Sequence, residues 1–228
     1  MASQLTLNMI DTEIEVRNIT ECTNAILNQT SWKYTRLPKE YQELTYIASS
    51  SSRTQYINTG VYPKANVKIE GKIMAYNYSN YDVVIGQTSG DMNTGSIAVR
   101  VFSGPKLYVG YGGHRDYYKS ISFNSEVTFN TWNCGITVNG SSSSGSTISF
   151  TPNSYALWMF GGNNDNALWR GFNGRIYYMK IYNDNILVRH FIPARRKSDS
   201  VLGMYDLVNR TFYTNSGSGS FTAGSEVN

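Results

Sequence analysis

Residues 174–221 read GRIYYMKIYNDNILVRHFIPARRKSDSVLGMYDLVNRTFYTNSGSGSF. β-branched and aromatic residues fill two hairpin-like runs, and a basic, polar loop joins them. Such side chains fit a pleated, half-buried surface, and an isolated hairpin is marginal in water. The stretch therefore needs a sheet to join, which points to an all-β sandwich. Its first strand resists simple alternation. Ile176 shares a parity with Tyr178, whereas Met179 and Ile181 share the other. A bulge near Tyr177-Tyr178 turns Ile176, Met179 and Ile181 inward together; burial of both faces accounts for the pattern equally well.

Upstream, short strand patterns recur with Gly, Asn and Ser between them, at 44–47, 55–61, 67–74 (interrupted by Gly71), 81–86, 96–102, 106–111, 120–123, 127–129, 134–138, 147–150 and 155–160. Residues 141–146 read as a polar turn. Downstream, 172–182, 186–192, 201–205 and 211–213 complete the series. This spacing favours a sandwich or barrel.

The 228 residues can bury a sizeable core. Charged residues make up 16%, against roughly 25% in ordinary soluble proteins. With 18 Tyr and 20 Gly among abundant Ser, Thr and Asn, the surface is polar but nearly neutral. The net charge of +4 is scattered apart from Arg195-Arg196-Lys197, so no stripe calls for a nucleic-acid partner. No run approaches the roughly 18 apolar residues of a membrane span. Without a secretion signal the thiols of Cys22 and Cys134 are expected to stay reduced, Cys134 as a small core residue beside Trp132. Trp132 and Trp158 read as core, because both sit in apolar strand contexts.

Residues 1–36 stand apart. Leu5, Leu7 and Met9, then Ile14 and Val16, alternate with polar residues. Ile19, Cys22 and Ile26 suit a short helix. The segment has too little apolar surface to fold alone. It reads as an assembly arm, or as a first strand and helix of the same domain. Pro38 marks the boundary by turning Leu37 from helix, which leaves 37–228 as the sandwich domain.

Three stretches resemble a known family. LPKEYQELTYI at 37–47 with TQYINTG at 54–60 resembles its opening, and FNGRIYYMKIY at 172–182 its shared strand. LVRHFIP at 187–193, RKSD at 196–199, GMYDLV at 203–208 and FYTN at 212–215 resemble its closing hairpins. The family is the laminin-G-like, concanavalin A-like jelly-roll module of phage and prophage structural proteins of gut bacteria. The resemblance implies two antiparallel sheets packed face to face, in a decoration, fibre or tail protein exposed on a virion made in a bacterial cytoplasm. Residues 1–36 do not match, as expected of an arm that binds other virion proteins. A homotrimer is the expected assembly.

Fold does not fix function. A sandwich glycosidase needs two carboxylates across the scissile bond, and no Glu-x-Asp-x-x-Glu spacing occurs. Glu13 and Glu15 lie in the arm, Glu40 and Glu43 at the boundary, and Glu70 alone. His114 and His190 have no nucleophile motif beside them. The expectation is a protein that is not an enzyme and carries no cofactor. The oxygens of GGNNDN at 161–166 suit either calcium or plain turn chemistry. Glycan binding is the sharper expectation, because aromatic faces stack on sugar C–H faces while amide, carboxylate and guanidinium groups bond the hydroxyls. Two loops hold that mixture: 108–118, with Tyr111, His114 and Arg115, and 163–170, with Asn163, Asn164, Asp165, Trp169 and Arg170. The expected role is adhesion to a host-surface glycan, or cementing of neighbouring virion proteins without a ligand.

Overall fold

The computed structural model describes residues 36–79, 81–90, 94–102, 104–113 and 115–227. The arm's expected strands and helix, Cys22 and His114 lie outside these residues. The described chain forms β1 (Tyr41–Glu43), β2 (Ile47–Ala48), β3 (Ile57–Asn58), β4 (Lys68–Ala75), β5 (Asp82–Thr88), β6 (Ile97–Phe102), β7 (Lys106–Tyr111), β8 (Arg115–Ser120), β9 (Val127–Trp132) and β10 (Gly135–Val138). It continues with β11 (Ser141–Ser144), β12 (Trp158–Met159), β13 (Gly161–Asn164), β14 (Ala167–Trp169), β15 (Gly174–Asn183), β16 (Ile186–Arg196), β17 (Leu202–Asp206), β18 (Thr211–Thr214) and β19 (Thr222–Ala223). Among the described residues there is no helix, and so none long and apolar enough to cross a membrane.

The larger sheet runs β11-β10-β9-β4-β15-β16-β17-β18, with β1 on β16, β2 on β15 and β19 on β2. The smaller runs β14-β13-β5-β6-β7-β8, with β12 on β5 and β3 on β12. Among the described strands pairing is antiparallel, apart from β13 on β5, and an isolated parallel bridge joins Val83 to Gly171. The long strands alternate. In β4, Ile69, Gly71, Ile73 and Ala75 are buried, while Lys68, Glu70, Lys72 and Met74 face outward. One core joins the inner faces, with Ile69, Ile73, Phe129, Ile136, Met179 and Phe191 from the larger sheet against Val84, Ile85, Val99, Leu107 and Val109 from the smaller. Each such side chain contributes about 1.5–3 kcal/mol on burial. Gly71, which interrupts the sequence pattern, lies opposite Phe129 in the register, and a Cβ there would come within 2.8 Å of that ring.

The bulge is present. The β15–β4 register shifts between Ile176 and Tyr178, and Ile176, Met179 and Ile181 are all fully buried. The extra residue leaves Tyr177 and Tyr178 side by side and both partly exposed.

Some expectations change. Residues 141–144 form an edge strand instead of a turn, tied by a 2.8 Å hydrogen bond between the Thr137 and Ser142 hydroxyls. Residues 115–120 form β8, whereas 121–123 and 147–150 lie outside strands. Cys134 is buried and Trp158 is core, but Trp132 is half-buried.

Candidate functional site

The two loops singled out by sequence are mostly hairpin. β13 and β14 close through Asp165-Asn166, both left-handed (φ 51° and 67°), the type I′ geometry that matches strand twist. Asn163 is buried; its Nδ2 donates to Ala156 O (3.0 Å) and its Oδ1 accepts from Asn166 N (2.8 Å). Asn164 Oδ1 accepts from Gly90 N (2.8 Å), as does Asp165 Oδ2 (3.2 Å). Hydrogen bonds from Ser89 and then Tyr155 hold the Asp165 carboxyl below the usual carboxylate range. The oxygens considered for calcium thus close a turn and tie down a neighbouring loop. Among the described residues, no group of three or more His, Cys, Asp or Glu is placed to hold a metal ion.

Trp169 is 9% exposed and lies on Gly162 with Val83 and Ala98, where a Cβ on Gly162 would come within 2.6 Å of the indole. Tyr111 is wholly buried, and its hydroxyl donates to Val67 O (2.8 Å). Neither ring offers a face to a ligand, which corrects their assignment as exposed sugar contacts. The Arg170 guanidinium lies 5.3 Å from the Tyr81 ring centre, and Arg115 opens β8 opposite Tyr111. On this side Tyr81 stacks on Phe102 (3.6 Å), and Tyr108 contacts both Phe102 and Tyr118. Tyr118 is nonetheless 43% exposed, with the Lys106 ammonium 4.4 Å from its ring centre.

The outer face of the larger sheet differs. Register aligns Thr137, Asn130, Glu70, Lys180 and His190 in one row, a residue from each of β10, β9, β4, β15 and β16. Thr128, Lys72 and Tyr178 form the adjacent row. Two depressions open here. The first, about 180 Å³, is lined by Glu70, Thr128, Phe129, Asn130, Thr137, Asn139, Gly140 and Tyr178. The second, about 280 Å³, is lined by Arg36, Tyr177, Tyr178, Lys180, His190 and Ile192. Tyr178 borders both, because the bulge turns it outward beside Tyr177.

Most of these polar groups have a partner within the protein: the Thr137 and Ser142 hydroxyls are bonded (2.8 Å), the Thr128 hydroxyl donates to Asn139 Oδ1 (3.2 Å), and Arg36 pairs with Glu43. Glu70 accepts one hydrogen bond, from Tyr182 Oη to Oε2 (3.3 Å). Among the described residues, Asn130 and Lys180 make no side-chain hydrogen bond or ion pair. Burial, and then the nearby Glu70 carboxylate, pushes the Tyr178 hydroxyl above its usual pKa, so it remains a neutral donor. Lys72 is spent elsewhere, paired with Glu126 (2.6 Å) and lying over the Tyr177 ring (4.9 Å). Asp206 fixes the far end by accepting from His190 N (2.8 Å) while facing Arg189 (3.5 Å). Sequence reading passed over this face. Its signals were the polar parity of Lys68, Glu70 and Lys72 and the parity break at Tyr177-Tyr178.

No family profile and no curated protein matches this chain in sequence. Solved structures do match. A candidate carbohydrate-binding protein from Bacteroides ovatus is 15% identical with a TM-score of 0.52, over 82% of this chain and 62% of that one. The fold is a jelly-roll β-sandwich. A heptameric pentraxin from Limulus polyphemus is 9% identical (TM-score 0.45), over 80% of this chain and 95% of its own. The NanB sialidase of Streptococcus pneumoniae is 11% identical (TM-score 0.46), over 78% of this chain and 39% of its own. The resemblance of the chain ends is upheld at the level of fold. The expectation of a protein that is not an enzyme is corrected, because the matches include sialidases and a bacteriophage tailspike's enzymatically active domain. The missing Glu-x-Asp-x-x-Glu spacing covers one arrangement of catalytic carboxylates and leaves others open.

Proposed function

We propose that this chain is a glycan-binding jelly-roll module of a bacteriophage particle, and that the outer face of its larger sheet holds a host-surface polysaccharide. The row Thr137–Asn130–Glu70–Lys180 beside Tyr178 carries the reading. Binding sites are concave, with a few convergent polar groups against an apolar wall. Here the Tyr178 ring supplies the wall, Glu70 accepts from sugar hydroxyls, and the Asn130 amide both donates and accepts. The fold match brings in a candidate carbohydrate-binding protein, which fits the same use. The resemblance of 37–60 and 172–215 supports placement on a virion. In this reading residues 1–36 dock on other virion proteins and the module is a homotrimer, so weak contacts act through avidity.

The test is binding of wild-type protein and Asn130→Ala to an array of bacterial surface polysaccharides. Asn130 is exposed, so the substitution should leave the melting temperature unchanged. The expected outcome is a loss of roughly tenfold or more, the value of one charge-assisted or two ordinary hydrogen bonds. Equal binding by both proteins rejects this face.

A further inference from the structure

The two depressions share a wall but not a charge. The first is lined by one carboxylate, Glu70, with amides and hydroxyls and no cation. The second holds Lys180, Arg36 and His190 and no carboxylate. Arg36 is paired with Glu43, which leaves Lys180 as the cation that no described residue pairs. Glu70 and Lys180 face each other in the register. The sign of the charge therefore reverses across one strand spacing, about 4.8 Å.

Resting on the glycan-binding reading, we infer that the ligand is an acidic oligosaccharide of at least two units. A neutral sugar fills the Glu70 depression, and an anionic sugar places its charge at Lys180. Glu70 repels an anion and accepts from hydroxyls, so the first depression selects a neutral ring. Lys180 forms no ion pair with any described residue, Glu70 across the strand included, so the second gains most from an anion. Tyr178, bordering both, can touch both units. Carboxylate sugars and phosphate-bearing sugars supply the same chemistry at Lys180.

The experiment measures binding of the full chain and Lys180→Ala to three glycan sets: neutral, carboxylate-bearing, and phosphate-bearing polysaccharides of bacterial surfaces. Wild type should prefer one acidic set over the neutral set by tenfold or more, and the preference should fall as salt rises. Which acidic set binds identifies the source of the anion. Lys180→Ala should lose that preference. Equal or better binding of neutral glycans overturns the inference and leaves glycan binding standing, as does an acidic preference unchanged in Lys180→Ala. Failure to bind any set overturns both.

Discussion

Tyr111 shows how a polar atom inside the sandwich stabilises it at one pH and weakens it at another. Its hydroxyl is buried, donates to Val67 O, and lies 3.3 Å from Thr131 Oγ1. Burial raises its pKa well above the ordinary 10.0, so the folded state keeps it neutral. The unfolded chain releases the proton near pH 10. The stability this group contributes is therefore complete below about pH 10 and is lost as pH rises toward the folded value, at about 1.4 kcal/mol per pH unit. Tyr111→Phe removes the ionisation and one hydrogen bond. The variant should be about 1 kcal/mol less stable at neutral pH, yet lose less stability between about pH 9 and pH 11. Urea midpoints across that range measure it, and parallel losses in the two proteins would refute the account. The residue's place was legible in part. Leu107, Val109 and Tyr111 share a parity, and Tyr111 pairs with Ile97 on the core face. The adjacent Gly112-Gly113 made the segment read as a loop.

At the scale of elements, alternation predicted most of the strands, because one buried face imposes a period of two on β4 and β9. It missed β11, where four serines pack almost nothing and the strand exists through edge pairing. It also missed β13 and β14, whose Asn-rich hairpin pattern served equally for a ligand loop. The candidate site was hidden because its row crosses five strands that are distant in sequence, so no local spacing records it. Only the bulge left a trace. Deleting Tyr177 should remove the extra residue and slip one part of β15 by one position. Either Ile176 or the pair Met179 and Ile181 then turns out of the core. The cost of exposing such side chains, about 1.5–3 kcal/mol each, should lower the urea midpoint sharply and remove glycan binding together. A deletion variant with wild-type stability would show that the bulge is not what sets these faces.

For the whole molecule, the depressions are shallow and open to solvent, so a single copy should bind weakly. Affinity on a surface then depends on how many copies act together. If the arm within residues 1–36 assembles the chain into a trimer, full-length protein should show a trimer mass by light scattering, and residues 36–228, which keep Arg36 of the second depression, a monomer mass. The described sandwich has its own closed core, so the shorter chain should remain folded. Its affinity for a soluble oligosaccharide should match that of the full chain, because the row from Thr137 to Lys180 is untouched. On a dense polysaccharide layer the full chain should hold at least a hundredfold more tightly, the low end of the gain from linked sites. Equal retention of the two proteins on the layer, or an unchanged oligomer after truncation, would remove the arm from this role. The site on the larger sheet would then have to act one copy at a time.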